Sequence, residues 1–187
     1  MKILITGYYN RNNYGDDMYH YAFPKIFKNQ EITFVDINKL QQLKPTNTDF
    51  DLIILGGGDV MTPFFLNIFN NWYYENKLES VPCHSYSMGI PYLSILESGE
   101  MDIFDFFVCR NKADTKLLKK RYGDKHAMYL PDFVFIEQVS KINKFAILSN
   151  SKNTNPIISI FLAKPCINDV ILNKLGNFIK LLKPQYK

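Results

Sequence analysis

The sequence predicts an α/β fold, a Rossmann-like and mostly parallel sheet flanked by helices. Three observations predict it. Short runs such as residues 3–6 and 52–55 are almost continuously apolar, as strands covered on both faces must be. Segments of helical length and amphipathic pattern separate those runs. Glycines follow several of the runs at their carboxyl ends, the side of an open α/β sheet where ligands bind.

The elements follow in chain order. Residues 3–6 form the first strand, and Gly7 turns the chain into a loop of Tyr, Asn and Arg. A helix is expected from near Asp16 through Phe23, kinked or restarted at Pro24, with Ile26 and Phe27 completing its buried face. His20 reads as a packed or solvated residue of that helix. Residues 32–36 form a second strand ending in Asp36, an acid placed as in ribose-binding sites, but the glycine pattern of dinucleotide enzymes is missing. Residues 51–58 are a third strand ending in Gly56, Gly57 and Gly58, where the backbone is free to take positive φ and approach a ligand closely. No Gly-Lys-Ser/Thr follows, so this is not a P-loop. Thr62 and Pro63 read as the cap and first position of a helix through Trp72.

Residues 83–87 form a strand opening at Gly89 and Pro91, with His84 in the core, and residues 105–110 form another that delivers Arg110 at its end. The helix at 112–122 is expected to turn Ala113, Leu117 and Leu118 inward and to stop at Gly123, with Lys116, Lys119, Lys120 and Arg121 forming a solvated face. Residues 126–130 form a short strand closed by Pro131 and Asp132. Residues 1–150 are read as one domain, and the polar run at 149–155 has a linker's composition. Residues 156–187 hold one strand and one amphipathic helix, the start of an incomplete second domain or a unit packed on the first. That helix is a possible route to homo-oligomers.

Composition bounds the function. With 187 residues, 47% hydrophobic and 21% charged, the chain is globular rather than disordered. A net charge of +4 on scattered lysines argues against nucleic acid as a partner. Cys83, Cys109 and Cys166 lie far apart, with neither a CxxC pair nor metal-ligand spacing, and read as reduced, buried thiols. No metal is expected. The chain has no leader-like opening and no apolar segment near the ~20 residues a membrane span needs. The expectation is a cytoplasmic protein without a membrane span.

Five elements in this order resemble the polysaccharide pyruvyl transferase family: Asn13-Tyr14-Gly15-Asp16-Asp17, the strand and glycine triplet at 51–58, Ser87-Met88-Gly89-Ile90-Pro91, Arg110-Asn111 with Asp114-Thr115, and Pro131-Asp132. The fourth departs from the family pattern, with Asn111 in place of an acid and Thr115 displaced by one position. The resemblance implies the N-terminal half of a two-domain architecture like that of GT-B glycosyltransferases. It implies transfer of a pyruvyl group from phosphoenolpyruvate to sugar hydroxyls of a glycan, with phosphoenolpyruvate as donor substrate and no cofactor. Such chemistry needs cations for the donor's carboxylate and phosphate, and an acid to protonate its methylene carbon. Asn13, Gly15, Asp16, Asp17, Gly56, Gly57, Gly58, Gly89 and Arg110 are the substrate-binding candidates; no catalytic residue is assigned. By the resemblance, an arginine and a histidine facing the donor are expected from a second half, which the chain does not complete. Two alternatives follow: a sugar- or nucleotide-binding remnant without catalysis, or a GT-B glycosyltransferase using a nucleotide sugar.

Overall fold

A computed structural model describes residues 1–11 and 13–136. The linker, strand and helix expected after residue 148, the domain boundary near 150, and Cys166 lie outside the described residues. Six strands form one sheet: β1 (Lys2–Gly7), β2 (Glu31–Asp36), β3 (Leu52–Gly58), β4 (Cys83–Met88), β5 (Phe106–Cys109) and β6 (Ala127–Tyr129). Their order is β2-β1-β3-β4-β5-β6, and every pairing is parallel. This is a Rossmann-like α/β sheet. Its strand order reverses direction at β1, so a crevice opens where β1 and β3 diverge into their following loops.

Alternation along the strands divides the core into two layers. Leu4, Ile53, Leu55, Phe107 and Cys109 face one side with α3 (Pro63–Glu75) and α5 (Lys112–Tyr122). Ile3, Ile5, Ile54 and Val108 face the other, against Tyr19, Ala22 and Phe23 of α2 (Tyr19–Ile26) and Phe133 of a 3₁₀ turn at Phe133–Ile136. Apolar residues on both faces are the reason these strands read as unbroken hydrophobic runs. Among the described residues no helix is long and apolar enough to cross a membrane.

Helix starts follow local chemistry. The Thr62 hydroxyl accepts from Phe65 N at 3.3 Å with Pro63 at the first position, as the sequence predicts. The Asn111 side chain likewise accepts from Asp114 N at 2.7 Å to start α5. Two helix expectations need correction. The first helical segment begins at Tyr14, as α1 (Tyr14–Asp17), and breaks at Met18 rather than at Pro24. Pro24 lies inside α2, and a Phe27 N to Phe23 O bond of 2.9 Å carries the chain past it. In α5 the inward residues are Asp114, Thr115 and Leu118, while Ala113 is exposed. The Asp114 carboxylate turns in because it accepts from Ile90 N at 2.8 Å, tying α5 to the loop after β4. Cys83 and Cys109 are free and buried, and burial pushes the Cys109 thiol up to about 11.

Candidate functional site

A parallel sheet puts every strand's carboxyl end on one rim, so the loops after β1, β3, β4 and β5 converge. A cleft of about 220 Å³ lies there. Tyr8, Asn13 and Asp16 reach it from the loop and helix after β1. Gly58, Asp59 and Val60 come from the end of β3, Phe65 from the first turn of α3, and Arg110 from the end of β5. The volume falls below the ~300–1,000 Å³ of sites that enclose drug-sized ligands, so it suits one small polar unit rather than a dinucleotide.

One wall is aromatic. The Tyr8 and Phe65 rings meet at 5.4 Å, Phe64 packs edge-on to Phe65 at 5.2 Å, and the Arg11 guanidinium sits 5.5 Å over Tyr8. The other wall is polar. Asn13 Nδ2 donates to Asp16 Oδ2, and Arg110 donates from Nη2 to Asp59 and from Nη1 to Asp132 Oδ2 at 3.3 Å. Burial is the main reason the Asp16 carboxyl is raised from 3.8 to about 6; Arg110 opposes the rise and Asp59 adds to it. A half-buried carboxylate that gains and loses its proton near neutrality is what acid–base chemistry requires.

Beneath the cleft, Tyr19 joins three elements. Its hydroxyl accepts from Gly58 N at 3.1 Å and donates to Asp132 Oδ1 at 2.7 Å. Ser87 Oγ donates to the same carboxylate oxygen at 2.9 Å and accepts from Phe133 N at 3.0 Å. Ser87 holds φ 55°, a left-handed conformation for a residue with a side chain, at a bulge where β4 slips against β5 between Tyr86 and Met88. Such backbone costs about 1–3 kcal/mol and persists where surrounding bonds enforce it. Here it aims the Ser87 hydroxyl at Asp132. Asp132 in turn orients Arg110.

The structure places the sequence candidates in three groups. Asn13, Asp16, Gly58 and Arg110 line the cleft, and Gly89 borders it, since a Cβ there would sit 3.2 Å from Asp59 and 3.4 Å from Arg110 Nε. Gly56 and Gly57 lie underneath: a Cβ on Gly56 would strike the Tyr86 carbonyl, and one on Gly57 would strike the Tyr19 ring. Gly15 sits in α1, where a Cβ would make only an ordinary contact, 3.6 Å from Asn13 Oδ1, and Asp17 accepts from Asn10 N at 2.6 Å, closing the loop. Sequence reasoning does not pick out Tyr8, Asp59, Val60 or Phe65 as site residues, although Tyr8 follows the glycine of β1 and Asp59 follows the triplet of β3. Tyr19 carried no local signal, because its partners are far away in sequence.

Both carboxylate oxygens of Asp36 are engaged within the chain, and the residue is buried. It caps the 3₁₀ turn at Ile37–Gln42 by accepting from Asn38 N at 3.0 Å and Nδ2 at 3.1 Å, and Arg11 Nη2 holds its other oxygen at 2.9 Å. Among the described residues no group of acidic, histidine or cysteine side chains is arranged to hold a metal ion. No protein-family model, curated protein or solved structure matches the chain.

Proposed function

We propose that the cleft binds a sugar ring, and that this domain is the acceptor side of a polysaccharide pyruvyl transferase-like protein. The observation that carries the reading is the pairing of an aromatic wall, Tyr8 and Phe65, with a polar wall of Asn13, Asp16, Asp59 and Arg110. A pyranose presents an apolar C–H face and a rim of hydroxyls, which complement such walls. Among the residues that line the cleft, the carboxylates of Asp16 and Asp59 outnumber the guanidinium of Arg110, a balance that favours a neutral polyhydroxyl acceptor over a multiply charged one.

In this reading Asp16 accepts the proton of the attacking sugar hydroxyl. The hydroxyl oxygen bonds to the enol carbon of phosphoenolpyruvate while the C=C electron pair takes up a proton from solvent at the methylene carbon. A second hydroxyl then displaces phosphate, which carries away that hydroxyl's proton, to close the ketal. Arg110, held by Asp59 and Asp132, faces the carboxylate or phosphate that approaches the acceptor. General base action of this kind contributes ~10²–10⁴-fold.

The engagement of Arg110 by two carboxylates favours a second reading, a sugar-binding protein without turnover. One experiment separates the two. The full chain is incubated with phosphoenolpyruvate and galactose- or mannosamine-containing acceptors, and both phosphate release and the mass of the sugar are followed. Acceptor-dependent phosphate release with a matching ketal product supports transfer. Saccharide binding without product selects the second reading, and no saccharide binding at all refutes both.

A further inference from the structure

We propose that a groove between α5 and β6 holds an anionic polysaccharide chain that extends from the cleft. The groove measures about 500 Å³, roughly twice the cleft, and is lined by Lys112, Thr115, Lys116, Lys119, Lys120 and Tyr129, with Asp124 at one end. Lys112, Lys116 and Lys120 recur at every fourth position of α5 and are all exposed. Helix geometry therefore sets their Cα atoms about 6 Å apart in one row. Asp124 lies 3.9 Å from Lys119 Nζ, which is not part of that row. Tyr129, 38% exposed, joins the lining, with Lys112 Nζ 5.5 Å over its ring centre. Regularly spaced cations beside an exposed aromatic ring match a linear polyanion built of rings.

Position ties the groove to the cleft. Lys112 follows Arg110 by two residues, Tyr129 precedes Asp132 by three, and Arg110 and Asp132 are joined at 3.3 Å. In this proposal a chain whose terminal sugar occupies the cleft passes from Arg110 by way of Lys112 onto the lysine row. The inference rests on the sugar-binding reading for the class of ligand, and it adds that the acceptor is a polymer bearing negative charge.

The test is fluorescence anisotropy of the full chain with labelled dextran sulfate, against neutral dextran of equal length. The expected result is salt-sensitive binding of dextran sulfate alone, weakened by on the order of tenfold in K116E/K120E. The variant K28E/K39E carries the same net charge, with its changes flanking β2 at the opposite end of the strand order, and should bind within about twofold of the parent. Equal weakening in both variants would overturn the groove, leaving a general charge effect. Tighter binding of oligothymidylate or phosphatidylglycerol vesicles than of dextran sulfate would overturn the glycan assignment. Thermal melts confirm that both variants fold, since all four lysines are exposed. Asp16→Asn separates the two readings: it should abolish monosaccharide binding in the cleft and leave dextran sulfate binding intact.

Discussion

Asp16→Asn should make the protein more stable above neutral pH while it removes ligand binding. The folded chain raises this carboxyl from 3.8 to about 6, chiefly by burial, so it keeps a proton that the unfolded chain has already lost. Stability therefore falls as pH rises from about 4 to about 6, and the full penalty applies above that window. At ~1.4 kcal/mol per tenfold in acidity the rise corresponds to roughly 3 kcal/mol, and solvent screening of this half-exposed group reduces it to on the order of 1 kcal/mol. Asparagine cannot ionise, and its carbonyl oxygen still accepts from Asn13 Nδ2. The assay is thermal denaturation of parent and variant at pH 8 and pH 4. The variant should melt about 2–4 °C higher at pH 8 and level with the parent at pH 4. A variant that melts lower at pH 8, or one that shows the same gap at both values, would refute the argument that Asp16 is a penalised carboxylate. A stabilising change that destroys binding is the signature of a residue held for function.

Turnover, if measured, should fall as pH drops through about 6, because Asp16 then gains the proton it must be free to accept; a flat profile down to pH 5 would remove Asp16 as the base. Gly57→Ala should cost roughly 2–4 kcal/mol in urea denaturation, since its Cβ meets the Tyr19 ring at a backbone φ of 26°. Tyr19→Phe leaves Gly58 N and Asp132 short of a partner and should cost about 1–2 kcal/mol. It should also weaken cleft binding through Arg110, so a variant with parental stability and parental affinity would show that Tyr19 is not the joint described.

Much of the fold was legible because its signals are local. The runs at 52–55 and 3–6 announce buried strands, Thr62-Pro63 announces a helix start, and Gly123 announces a helix end. Each depends on residues within a few positions. The errors had non-local causes. Helical spacing puts Ala113 in the core of α5, but Asp114 turns inward instead, toward Ile90 N, a partner 24 positions away. Pro24 looked like a breaker, yet one missing donor in a short helix packed against the sheet is tolerated. In the site, Asp16 and Arg110 were visible beside strand ends, whereas Tyr19, Ser87 and Asp132 acquire meaning only together.

Local pattern is enough to set the class of fold and the rim where the cleft lies, because apolar periodicity and strand-end glycines act through neighbouring residues. Which groups meet there depends on contacts between distant parts of the chain. Asp16 over Gly58, Arg110 between Asp59 and Asp132, and Tyr19 beneath them are brought together by strand order and burial. The raised Asp16 carboxyl is likewise a product of desolvation and long-range charge, quantities that exist only once the chain has closed on itself.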